Sequence, residues 1–264
     1  MPDLGIFWKI TVTIFGLLIG SFLNVVIARL PLDQSIVSPR SRCPKCEKSI
    51  VWYDNIPLVS YLLLRGRCRG CQAPISPRYP LVEVLCGLLF LASYVRFGLS
   101  PALFVRELPF CAILLAITFI DLDHRIIPDE LSLGGLALGL ATCWLMAEPG
   151  WLMCLVGAGL GFGVFYGLAW AYEKYSGRAG LGGGDIKLLA MIGAFEGPAG
   201  VFAAILISSV LGSLVGLGWG MLKGGKELQN IKTLAIPYGP FLVIGALYYY
   251  LLGDILWFRF TIPT

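Results

Sequence analysis

IFWKITVTIFGLLIGSFLNVVIA, residues 6–28, decides what kind of protein this is. At 1.5 Å per residue an α-helix of this length crosses the ~30 Å hydrocarbon core of a bilayer. The run is too long for a secretory signal, lacks a basic segment before it, and is followed by many similar runs. Across all 264 residues the composition is 57% hydrophobic and only 14% charged, with a mean hydropathy of +0.80. One soluble core could not hide that much apolar surface, so lipid is the solvent for most of the chain. Ser21 and Asn24, polar residues inside the first run, are expected to face neighbouring helices. Nothing in the charge pattern suggests nucleic-acid binding, and no internal repeat stands out.

Further apolar runs near 80–98, 102–120, 131–147, 151–172, 187–197, 199–222 and 238–258 bring the expectation to about eight transmembrane helices. The fold expected is an all-α polytopic membrane protein. The run 187–197 is short for a full crossing and reads as a tilted, broken or re-entrant helix. Three parts are expected: a first transmembrane helix (1–29), a cytoplasmic loop (30–79) and a helical bundle (80–264). Of the 20 Lys and Arg residues, alternate crossings place sixteen on the side of the 30–79 loop. Four, Lys9, Arg96, Arg106 and Arg259, fall on the other side. Basic residues concentrate on cytoplasmic loops, so the 30–79 loop is cytoplasmic.

That loop holds Cys43-Pro-Lys-Cys46 and Cys68-Arg-Gly-Cys71. Two such pairs match a tetrahedral zinc site in which each tight turn gives two thiolates. Disulfides fit poorly in the cytoplasm, and paired knuckles differ from a single redox motif. Four thiolates leave no open position, so the metal is expected to be structural. The apolar patch VSYLLL (59–64) is expected to pack on the metal site or lie on the membrane surface, and the loop's basic residues can meet anionic lipid. Cys86, Cys111, Cys143 and Cys154 stand singly in apolar runs and read as small buried hydrophobes.

Two acidic stretches lie where apolar runs meet polar ones: FIDLDHRIIPDE (119–130) and GLGGGDIK (180–187). Ionisable groups at membrane depth pair, line water or carry function. Asp121 directly follows an apolar run, whereas Asp123 lies about 200° further around a helix and cannot face the same partner. Asp185 follows Gly182, Gly183 and Gly184, whose bare backbone would let a substrate peptide lie close by in extended form. The alternation of crossings places Asp121 and Asp185 on one membrane face. Two adjacent carboxylates share a proton, one activating water and the other polarising a carbonyl. His124 is the single histidine, and GxSxG and HExxH are absent. From residues alone, peptide hydrolysis, ion or solute transport through intramembrane carboxylates, and a non-enzymatic assembly scaffold all stay open.

At these residues the chain resembles the bacterial type IV prepilin peptidases. The matching stretches are GSFLNVVIARLP (20–31), the paired CxxC loop, SPRYPLVE (76–83), DLDHRIIPD (121–129) and GGGDIK (182–187), in that order. The resemblance implies a GxGD-type aspartic protease of the inner membrane with Asp121 and Asp185 as catalytic pair. It implies cleavage of prepilin and pseudopilin leaders at the cytoplasmic face, after a glycine. The full cysteine loop implies the bifunctional form, which then methylates the new N-terminal residue using S-adenosylmethionine. No donor-binding motif is recognisable. Arg78, Tyr79 and Glu83, where loop meets second helix, are candidates for that role or for a helix-end ion pair.

Overall fold

The computed structural model describes residues 3–146, 149–177, 182–222 and 237–256. Arg178, Lys223, Lys226, Lys232 and Arg259, used in the charge count, lie outside them. The described residues form eight α-helices: α1 (Asp3–Arg29), α2 (Val59–Leu63), α3 (Arg78–Phe97), α4 (Leu108–His124), α5 (Asp129–Thr142), α6 (Gly150–Ser176), α7 (Gly183–Leu222) and α8 (Gly239–Leu256). They contain no strand, only isolated bridges between Arg42 and Ser49 and between Arg67 and Pro74. The chain divides into two compact units, Met1–Ala116 and Ile117–Thr264.

Five described helices are long and apolar enough to cross a membrane: Leu4–Leu32, Arg78–Phe97, Leu103–His124, Gly150–Ser176 and Gly183–Gly218. The other apolar segments are shorter. The run expected over 131–147 is helical only over the 14 residues of α5, then tightens into a 3-10 turn at Cys143–Leu145. The runs expected at 187–197 and 199–222 are joined in α7, which is interrupted where Gly197 takes φ 70° and Pro198 follows. Pro198 has no N–H to continue the helical bonding, and the glycine absorbs a backbone turn that other residues resist. The run expected to end at 120 continues to His124, so Asp121 sits inside the last turn of α4.

In the first unit α1 packs along α3 through glycines. A Cβ on Gly16 would come within 2.8 Å of Gly87 Cα, and one on Gly20 within 2.7 Å of Glu83 Cα. Such small-residue contacts let backbones approach where lipid supplies no hydrophobic drive for helix association. Asn24 is buried and donates through Nδ2 to the Tyr79 carbonyl at 3.1 Å, satisfying the polar group inside α1 as expected. In the second unit α7 is central, packing against α5, α6 and α8. Gly157 and Gly161 of α6 abut the α7 backbone at Gly193 and Leu189, and Gly245 of α8 abuts Ala204.

Candidate active site and thiolate cluster

Asp121 is carried by the apolar turn ITFI to the end of α4, where it is buried with 5% of its surface exposed. Asp123 and His124, further around the same turn, are exposed. The Arg125 N–H donates to the Asp121 carbonyl at 2.9 Å, and Arg125 adopts the left-handed conformation (φ 56°) that closes many helices. The carboxylate has a partner from far along the chain: the Gly239 N–H, at the head of α8, donates to Oδ2 at 2.9 Å.

Asp185 stands in the first turn of α7, half-buried, with its N–H donating to the Gly182 carbonyl at 3.1 Å. Asp121 is within electrostatic reach of it. Thus two carboxylates 64 positions apart in sequence lie at the ends of apolar helices in one unit, within electrostatic reach of each other. The three preceding glycines have different surroundings. A Cβ on Gly182 would lie 3.1 Å from Asp185 Oδ2, Gly183 meets open space, and a Cβ on Gly184 would come within 2.9 Å of Ile127 Cβ. Gly184 is therefore needed for the α4–α5 connection to pack, Gly182 sits tight against the carboxylate, and Gly183 is the one with open space around it.

A second link joins the two acidic stretches. Lys187 Nζ bonds Asp129 Oδ1 at 2.6 Å, tying the first turn of α7 to that of α5. Asp129 stands in the first turn of α5, where an acid suits the positive N-terminal end of a helix. The ion pair is visible only once the two helices are side by side.

In the first unit, residues 41–50 (SRCPKCEKSI) and 66–75 (GRCRGCQAPI) fold alike. Cys43 N–H donates to the Lys48 carbonyl at 3.0 Å and Cys68 N–H to the Ala73 carbonyl at 2.8 Å. Ile50 closes on Ser41 at 2.8 Å, and Ile75 on Gly66 at 2.7 Å. Glu47 and Gln72, each following a second cysteine, take φ 56° and 57°. The two segments also share Arg, Cys, Cys and Ile at matching positions, so the repeat is one of side chains as well as backbone bonds.

The four Sγ atoms lie within 4.8 Å of one another, with Cys43–Cys71 at 3.8 Å and Cys46–Cys68 at 4.0 Å. A tetrahedron with ~2.3 Å metal–sulfur bonds has sulfurs about 3.8 Å apart, whereas a disulfide needs ~2.05 Å. The cluster therefore fits a tetrahedral, thiolate-loving ion. The Cys46 and Lys45 N–H groups bring the Cys43 thiol down to about 6, favouring its thiolate. The Ala73 N–H acts in the same sense on Cys71, but burial and its cysteine neighbours outweigh it and push that thiol up to about 11.

Arg69, inside the second knuckle, grips Asp54 through Nε at 2.9 Å and a terminal nitrogen at 2.7 Å. It also lies 5.6 Å above the Tyr53 ring. The guanidinium holds the Asp54 carboxyl below the usual range. This residue is thus part of the loop's framework as well as of its positive charge. The patch VSYLLL forms α2, where Ser60 is buried and Leu62 and Leu63 are exposed, which fits the surface-lying alternative better than packing on the metal site.

Glu83, a candidate for donor binding, is buried and accepts the Leu58 N–H at 2.9 Å, with Ser21 as a further hydrogen-bond partner. It is engaged in holding the loop to α3.

A family description of the bacterial peptidase A24 N-terminal domain matches residues 14–97, and that of the type IV leader peptidase family matches residues 108–217. A prepilin leader peptidase/N-methyltransferase of Myxococcus xanthus (strain DK1622) is 46% identical over 235 residues, covering 89% of this chain and 70% of its own. One from Aeromonas hydrophila is 39% identical over 272 residues, covering 92% and 90%. A type 4 prepilin-like proteins leader peptide-processing enzyme of Escherichia coli O78:H11 (strain H10407 / ETEC) is 39% identical over 255 residues, covering 89% and 90%. No solved structure is a significant match.

Proposed function

The chain belongs to the type IV leader peptidase family, and from that membership we propose that it is a bifunctional membrane enzyme whose protease site is Asp121 and Asp185. The observation that carries the assignment of residues is the convergence of these two carboxylates, one buried and one half-buried, within electrostatic reach. In hydrolysis the ionised member takes a proton from water while the protonated member donates a hydrogen bond to the scissile carbonyl. Water oxygen bonds to the carbonyl carbon, the C–N bond breaks, and the departing nitrogen takes a proton from the pair. Gly183 has open space for an extended substrate backbone, and the bare Gly182 keeps the Asp185 carboxylate uncrowded.

Prepilins and pseudopilins are the substrates, each with a polar leader joined to a hydrophobic helix. The excess of basic residues on the side of the 30–79 loop supports an active site facing the cytoplasm in an inner-membrane enzyme. Asp121 and Asp185 sit at helix ends, where such a substrate's junction would lie.

Zinc held by Cys43, Cys46, Cys68 and Cys71 would be structural, fixing a loop too small for its own core. The second activity is N-methylation of the α-amine freed by cleavage. S-adenosylmethionine, the donor class, supplies an electrophilic methyl group to that amine, and no residue of this chain is assigned to holding it.

The test is to incubate purified protein with a prepilin, with and without the methyl donor, and weigh the product. Loss of the leader mass alone is expected without donor, and loss of the leader plus one methyl with it. An uncleaved prepilin under both conditions would refute the reading.

A further inference from the structure

We propose that the Gly239 amide holds Asp121 in the ionised, water-activating role and so leaves the shared proton to Asp185. The inference rests on the reading of these aspartates as the catalytic pair, and adds a division of labour and a positioning residue to it. Gly239 lies 118 positions from Asp121 and outside the 108–217 stretch matched to the peptidase family.

The first N–H groups of a helix have no partner inside it. Pro240 has none to offer, while the Phe241 and Leu242 N–H groups return to the Tyr238 carbonyl at 3.1 and 3.3 Å. The Gly239 N–H points instead at Asp121 Oδ2, 2.9 Å away, and the bond is buried. A carboxylate that accepts a backbone N–H at the positive end of a helix is favoured as the anion. The other charged groups facing Asp121 are Asp185 from α7 and Arg125 from its own helix end. The α8 residues Gly239–Gly253 bring no charged side chain.

The donor is also fixed in place. The Tyr238 hydroxyl shares a 2.8 Å hydrogen bond with Ser208 of α7, and its ring lies 6.3 Å from Phe165 of α6. Glycine is needed because a Cβ at 239 would stand 2.7 Å from Oδ2 and 3.2 Å from Cγ of Asp121. The anchored backbone cannot yield, so the carboxylate would.

Gly239→Ala tests this, with Gly245→Ala as control. The control Cβ would stand equally close, 2.7 Å, to Ala204 Cα, straining the α7–α8 contact away from the carboxylate. Displacing a reacting group by ~1 Å loses on the order of 100-fold in rate, so Gly239→Ala should lower kcat for leader cleavage by about that factor with KM unchanged. The acid limb of its kcat–pH profile should move to higher pH, because the carboxylate loses the donor that favours ionisation. Gly245→Ala should lower thermal stability and leave that limb in place.

A wild-type rate and profile in Gly239→Ala would overturn the proposal. So would a loss accompanied by an unmoved acid limb. If Gly239→Ala fails to insert, replacing residue 239 with glycolic acid removes the N–H without adding an atom. The same shift of the limb is then expected, and an unchanged profile would overturn the proposal. Cleavage by Asp121→Asn would instead remove the catalytic pair itself, so the two failures are told apart.

Discussion

Asp121 and Asp123 are two residues apart in one acidic loop, yet the first is buried against the head of α8 and the second is exposed. Helical rotation separates them, and the apolar run leading into Asp121 marks it in sequence as the one turned inward. Asp123→Asn is therefore expected to retain leader cleavage within a few-fold, measured as initial rate on a prepilin. Lys187→Met removes a partly exposed ion pair whose members are 32% and 57% accessible, so it should change stability by under ~1 kcal/mol in thermal unfolding. The Gly239 contact could not be read in advance, because IPYGPFL carries no mark of a partner 118 positions away. Gly184 shows the converse. Sequence suggests a uniform glycine track, and only the path of Ile127 shows that this position is closed by packing.

Among the elements, α7 carries the most consequence, since it bears Asp185 and packs on α5, α6 and α8. Its break at Gly197-Pro198 was legible as the boundary between a short apolar run and a full-length one, but their continuation through one bent helix depends on backbone angles that hydropathy does not encode. Where α6 crosses it, Gly157 abuts Gly193 and Gly197. Gly157→Ala should destabilise the protein by about 1–3 kcal/mol through overpacking, seen as earlier thermal unfolding in detergent. The two cysteine knuckles illustrate another limit of sequence. The ligand set was legible from spacing, while the matched positive-φ residues Glu47 and Gln72 carry no signature of their own. Zinc added to metal-free protein at pH 7 should release fewer than four protons, because the lowered Cys43 thiol is already largely ionised. Its depressed value contributes to loop stability above the ordinary thiol range, and that contribution is lost as pH falls through about 6. Proton release measured by a pH indicator during zinc addition checks the count.

Over the whole molecule, the high apolar content and long apolar runs pointed to an all-helical membrane protein, and each unit pairs its apolar helices through glycine contacts. The number of crossings was harder to read, since short helices such as α5 and the bend in α7 blur what one apolar run means. Family membership then ties this architecture to removal of prepilin leaders and N-methylation. The direct measurement of the central claim is leader cleavage of a prepilin by purified Asp121→Asn and Asp185→Asn proteins. Mass spectrometry reads the product, and methylation of an already cleaved pilin serves as the control for folding. Each variant should leave the prepilin at full mass while still adding one methyl to the cleaved pilin. Release of the leader by either variant would contradict the account.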